Sequence, residues 1–260
     1  MADIPFTDFG ISGIKQKALI TASGSWVVPS GVFSVFVLAT SGGGAGAGST
    51  TTGNFKFGGS GGEAGSTGAV EVKVVPGQTL SIVIGAGGVA VSGLDGNIGG
   101  DTTVRVGNYP ILAVKGGLGG IIQSSATVTE SAKVYSHMEC VKIAGGGNVG
   151  GAVASGASTA NGKAPKLFLF NGSTDSVAIP GMLVAAAQGG ATNLYPGGAG
   201  GSSVYGPGGR GGAGSEASVA SDGETPTSTN YGAAGGGASG TSGTSRLGGN
   251  GIQGSVEIYF

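Results

Sequence analysis

The sequence predicts an all-β protein: a sandwich-like strand framework carrying a raft of packed polyglycine-II helices with protruding loops and almost no α-helix. Three observations predict it. Glycine fills 61 of 260 positions, in clusters such as Gly42-Gly43-Gly44-Ala45-Gly46-Ala47-Gly48 and Gly197-Gly198-Ala199-Gly200-Gly201. Apolar residues, 39% of the chain, gather into strand-length runs, while charged residues make up only 10%. No segment longer than about ten residues shows helical periodicity with caps.

Glycine loses more backbone entropy on folding than any other residue. A chain accepts that cost where it stays disordered, or where backbones approach closer than side chains allow. Disordered chains combine low hydrophobicity with high net charge. Here the formal net charge is −1 and mean hydropathy is +0.26, so close packing is the expectation.

The framework reads from the front of the chain. Residues 19–28 and 32–39 are rich in β-branched and aromatic side chains, with Pro29-Ser30-Gly31 turning between them. Val70-Glu71-Val72-Lys73-Val74-Val75 alternates apolar with charged, as a half-buried strand does. Pro76-Gly77-Gln78 turns, and 80–84 returns. Residues 102–106 and 111–114 flank Asn108-Tyr109-Pro110 as a further pair, and the run 166–170 reads as a buried strand. Ser255-Val256-Glu257-Ile258-Tyr259-Phe260 alternates again, so the C-terminus is expected inside the sheet.

From Gly116 onward glycine clusters recur, separated by polar inserts that hold most of the later aromatics. A glycine cluster can form an extended helix of three residues per turn, rising about 3.1 Å per residue, whose outward backbone groups bond to neighbours of the same kind. No strict Gly-X-Y register is present, which excludes collagen. Three regions follow: 1–17, an N-terminal attachment segment; 18–115, the β framework with the first glycine clusters; 116–260, the glycine-rich raft closing in a strand.

Chemistry is sparse. The near-neutral charge recruits neither nucleic acid nor anionic membrane. Cys140 is the single cysteine, so no intrachain disulfide or multi-thiolate metal site can form. His137 and Cys140 are half of a metal site with no second His or Cys to complete it. The stretch from Gly156 to Lys163 is one residue too long for a phosphate-binding loop and continues into Ala164. Gly209-Arg210-Gly211-Gly212 is one isolated RGG unit. No catalytic or metal-binding residue, no cofactor and no enzyme activity are expected. The first residues are acidic, with no apolar stretch to serve as a signal peptide, and the longest apolar run is too short to span a bilayer.

Ser23-Gly24-Ser25-Trp26-Val27-Val28-Pro29-Ser30-Gly31-Val32 resembles the "SGTWTVPAGV" opening of glycine-rich domains in bacteriophage tail fibres and receptor-binding proteins. The features that follow match in order: Gly42-Gly43-Gly44, Pro76-Gly77-Gln78-Thr79-Leu80, Ile84-Gly85-Ala86-Gly87-Gly88, Gly99-Gly100-Asp101-Thr102-Thr103 and Gly116-Gly117. The resemblance covers roughly residues 18–260, and the back half is similar in style to the tip adhesins of T-even-like long tail fibres. It implies a non-catalytic adhesin on the virion tail, made in the host cytoplasm, that attaches to an outer-membrane protein or surface glycan of a bacterium. It further implies a trimer, or a cap on a trimeric fibre. The alternative is a purely structural virion component: baseplate, collar or fibre connector. An ice- or surface-binding protein would favour one uniform face of small residues, which these long irregular inserts do not give. Aromatic anchors dominate many recognition surfaces. The receptor-contact candidates are therefore Phe55, Phe57, Tyr195, Tyr205 and Tyr231, beside the glycine clusters. Ile4, Phe6, Phe9 and Ile11 are the candidates for docking to other tail proteins.

Overall fold

Alternation of apolar and polar side chains builds the strands, and a computed structural model shows how they pair. It describes residues 16–49, 58–122, 142–144, 166–168, 176–178, 197–212, 221–240 and 245–260, the three short central stretches as backbone only. The strands are β1 (Lys17–Ile20), β2 (Gly24–Val27), β3 (Ser34–Thr40), β4 (Thr67–Lys73), β5 (Thr79–Val83), β6 (Thr102–Val106), β7 (Tyr109–Val114), β8 (Lys142–Ala144), β9 (Lys166–Phe168), β10 (Ser176–Ala178) and β11 (Ser255–Tyr259). No helix occurs among the described residues, so the protein is all-β. One antiparallel sheet has the order β1-β11-β3-β4-β8-β9-β10; the other has the order β2-β5-β6-β7.

A single apolar cluster draws on both sheets: Val35, Val37 and Ala39 of β3 and Val256 and Ile258 of β11 meet Leu80, Ile82, Val104, Leu112 and Val114. On β5 the alternation is complete, with Leu80 and Ile82 buried between exposed Thr79, Ser81 and Val83. Burying a Leu or Ile side chain contributes about 1.5–3 kcal/mol, so this cluster carries the strand framework. The C-terminal strand is built into the sheet, between β1 and β3, as expected.

Two expectations change. The single strand expected over 19–28 is two strands on different sheets. β1 pairs with β11 and β2 with β5, and the chain crosses between them at 21–23. Ser23 fixes the crossing by accepting a bond from the Ile84 N–H at 2.9 Å. Period-2 patterning reports burial alone, so it cannot reveal that the partner changes midway. β8 and β10 were not anticipated, because three-residue strands carry too little alternation to register.

Between the strands run glycine segments whose backbone bonding repeats every three residues. The N–H groups of Gly42, Ala45 and Gly48 donate to the carbonyls of Gly100, Asn97 and Leu94. Those of Gly43, Gly46 and Ser49 donate to Ile252, Gly249 and Arg246, and those of Gly44 and Ala47 to Glu63 and Ser60. The same segment accepts from Gly117 and Gly120, from Gly235 and Ala238, and from Gly88. Segment 42–49 is thus ringed by six stretches of backbone and fully buried. The stretch 233–239 repeats the arrangement: Ala234 and Gly237 donate to Gly201 and Gly198, Gly235 and Ala238 to Gly44 and Ala47, and Gly236 and Ser239 to Glu224 and Ser221. Segments from before and after residue 116 therefore bond directly to one another.

The bonding explains the composition. A methyl group on Gly44 would overlap the Leu118 carbonyl, and one on Gly46 the Gly236 carbonyl. These obstacles are backbone, which cannot rotate aside. Gly24, by contrast, has open space where a methyl would go. We expect Gly46→Ala to destabilise the protein by about 3 kcal/mol or more, the upper end of overpacking. Gly24→Ala should change stability by about 0.5 kcal/mol at most. Chemical denaturation of the two variants checks this, and equal effects would exclude backbone contact as the reason for the glycines.

Candidate functional site

The registers give the glycine segments two distinct ends. At the sheet end, where strands pass into glycine, small hydroxyl side chains form a buried collar. The Thr40 and Thr67 hydroxyls bond each other at 2.8 Å. The Thr102 hydroxyl donates to the Thr40 carbonyl at 2.9 Å and accepts from the Gly85 N–H at 3.0 Å. The Ser41 hydroxyl reaches the carbonyls of Ser66 and Lys115. Backbone groups that have left the ladder but not yet joined the three-residue repeat need partners, and the collar supplies them.

Beside the collar, on the sheet's outer face, lies a buried ionic group. Val256 and Ile258 point into the apolar core, so Glu257 and Tyr259 fall on the opposite face. Glu257 is only 5% exposed. It accepts from Lys17 Nζ at 2.8 Å and from the Tyr259 hydroxyl, while Lys17 also lies over the Tyr259 ring. The group ties the first described strand to the last.

Tyr205 and Tyr231 sit at this sheet end. Their rings meet edge-on, with centroids 5.4 Å apart. The Tyr205 hydroxyl is buried beside Ser255, Thr40 and Glu257 without reaching hydrogen-bond geometry with any of them. Burial first, and then the Glu257 charge, holds its ionisation well above the ordinary tyrosine value of 10.0. Tyr259 moves the same way, through burial and then its bond to Glu257. The Tyr205–Tyr231 pair therefore packs over the sheet, remote from the opposite end of the glycine segments.

At the opposite end the described segments stop or turn together. Bonds from Gly48 to Leu94, Ser49 to Arg246, Gly59 to Ala238, Ser60 to Ile121, Gly197 to Gly212 and Ser239 to Ser221 place these residues at one level, the turn level. The turn 91–94 closes there through Leu94 N–H to the Val91 carbonyl, with Gly93 at φ +66°. Exposed Val89 and Leu94 lie beside it. Ser49 and Arg246, a backbone-bridged pair at this level, carried no sequence motif and were not anticipated.

The other candidates, Phe55, Phe57 and Tyr195 for receptor contact and Ile4, Phe6, Phe9 and Ile11 for docking, lie outside the described residues, as do His137, Cys140 and Lys163. Arg210 of the RGG unit approaches Glu224 at 4.0 Å, an exposed pair on the flank of the glycine segments. Among the described residues no group of His, Cys, Asp and Glu could hold a metal ion, and no helix is long and apolar enough to cross a membrane.

A family model described as a glycine-rich domain matches residues 20–260. No curated protein matches the chain.

Two outcomes follow from the sheet-end cluster. The folded protein holds the protons of Tyr205 and Tyr259 more tightly than the unfolded chain does. Their contribution is complete below pH 10.0 and is lost as pH rises above it. Melting curves at pH 8 and pH 11 should show this loss, and Tyr205→Phe should shallow the decline without lowering stability at pH 8, since no hydrogen bond is removed. Lys17→Met should cost about 1–2 kcal/mol, less than breaking a fully buried pair because Lys17 still touches water. A Lys17→Met protein as stable as the parent would refute the contribution of the Lys17–Glu257 pair.

Proposed function

Since the chain belongs to the glycine-rich domain family, we propose that it is a phage tail-fibre tip or receptor-binding adhesin. In this reading it attaches the virion to a bacterial outer-membrane protein or surface glycan and catalyses nothing. The glycine segments are polyglycine-II helices, since their three-residue bonding interval matches that helix's three residues per turn. They form a raft beside a strand sandwich. One observation carries the proposal: connections after residues 49, 121, 212 and 239 all leave a rigid backbone scaffold at one level, away from the sheets. Loops on such a scaffold can vary without disturbing what holds them. A rigid support also limits the ordering cost of binding. Several copies per virion would multiply weak contacts, as a trimer or a cap on a trimeric fibre provides.

The structural alternative, a baseplate, collar or connector component, draws on the other extremity. The turns at 29–33, 75–78 and 107–110 carry no charged residue and expose Phe33, Val75 and Tyr109. An apolar, uncharged end suits packing against another tail protein. An adhesin needs such an attachment as well, with Ile4, Phe6, Phe9 and Ile11 as its further candidates.

Binding of the purified full chain to a panel of bacterial strains tests the reading. Saturable binding to some strains is expected, and it should vanish when residues 214–219 and 241–244 are replaced by Gly/Ser linkers while the melting temperature holds. No binding to any strain, with retention in assembled tails, would favour the structural component.

A further inference from the structure

Two polar atoms at the turn level are left unused by the fold. Ser49 and Arg246 face each other across an antiparallel bridge, with the Ser49 N–H donating to the Arg246 carbonyl at 3.1 Å. Directly opposed residues on antiparallel chains carry their Cβ atoms about 5 Å apart on the same side. Ser49 is 1% exposed, and its hydroxyl has no hydrogen-bond partner. Nε of Arg246 is likewise buried and without an acceptor. Buried donors without partners are costly and rare in folded proteins. Here two lie on facing residues.

Charge points the same way. Lys17, Lys73, Lys115 and Arg210 each have an acidic neighbour. Arg105, exposed on β6, and Arg246 form no ion pair with a described carboxylate, and of the two only Arg246 has a buried nitrogen; the nearby Asp222 carboxylate is engaged by the Leu247 N–H at 3.0 Å. Beside the pair, Gly93 packs its backbone closely against Ser245: a Cβ there would lie 3.2 Å from the Ser245 hydroxyl and 3.8 Å from the Ser49 carbonyl, which brings Ser245 next to the bridge. Ser245 itself is exposed, so the place opens to solvent.

We propose that Ser49, Ser245 and Arg246 bind a single anionic group, a phosphate or a carboxylate. The guanidinium offers only donors, in a planar fork that matches two oxygens of such a group. The two hydroxyls can donate to its remaining lone pairs. A neutral ligand would satisfy the hydroxyls but leave the arginine charge unpaired. The site itself is independent of what the protein attaches to. Its extension, that the receptor is a surface glycan bearing phosphates or sugar acids, rests on the adhesin reading.

The test is a titration of the full chain, followed by NMR at the arginine Nε–H and at the Ser49 amide. Inorganic phosphate, glucuronate and neutral methyl glucoside are added in turn at constant ionic strength. Saturable shifts with phosphate or glucuronate, and none with the glucoside, are expected. The anion that binds tighter identifies the source as a phosphate or a sugar acid. Arg246→Gln should weaken that anion at least tenfold, and Ser245→Ala, a change at an exposed position, should weaken it severalfold while the fold is kept. Absence of saturation with both anions overturns the proposal, as does equal binding of the glucoside or undiminished affinity in a folded variant. A chain that binds the anion but attaches to no cell would leave the site standing and sink the adhesin reading.

Discussion

Satisfying backbone hydrogen bonds without a sheet is the constraint on which the rest of this structure depends. In the glycine segments each N–H must find a carbonyl on another segment, and segments 42–49 and 234–239 do so against neighbours on all sides. Such bonding is reached only when backbones approach nearly to contact, and a Cβ at Gly44, Gly46, Gly235 or Gly237 would occupy the space of a facing carbonyl. The entropic cost of ordering glycine is offset by the completeness of the bonding and by exclusion of water from it. Side chains contribute almost nothing inside this part of the molecule. The alanines among them, such as Ala45, Ala47, Ala234 and Ala238, are fully buried.

The strand framework answers a different need. A glycine lattice has only a few alanine methyl groups to bury, so it offers little hydrophobic stabilisation. The sheets supply that from Leu80, Ile82, Leu112, Ile258 and their neighbours. They also fix the ends of the segments, because β3, β4, β6, β7 and β11 each run directly into or out of one. The hydroxyl collar at Thr40, Ser41, Thr67 and Thr102 joins two incompatible bonding patterns, period two in the ladder and period three in glycine. At the opposite end neither pattern constrains the side chains. Ser49 and Arg246 stand at that margin, held by backbone but unpaired beyond it.

Much of the framework is legible in the sequence because alternation is a local signal. Val70-Glu71-Val72-Lys73 and the C-terminal Val256-Glu257-Ile258 announce which side chains face the core, and both lie in strands as read. The crossing at 21–23 is not legible, because a strand that changes sheets keeps its pattern. The aromatic candidates show the same limit. Tyr205 and Tyr231 adjoin glycine clusters in sequence, and only the pairing of their segments places them against the sheet, with the Tyr205 hydroxyl buried. Ser49 and Arg246, separated by nearly the whole chain, share no motif; only the register between their segments brings them together.

The sequence by itself determined the all-β class, the need for close backbone packing and the identity of the strands that bury apolar side chains, since each follows from composition and short-range periodicity. The tertiary structure alone decided which glycine segment bonds to which, and therefore which connections share an end. Every glycine segment presents the same bare backbone to every other, so nothing local distinguishes one partner from the next. The pairing is selected by the strands at the segment ends, and that selection exists only once the sheets have formed.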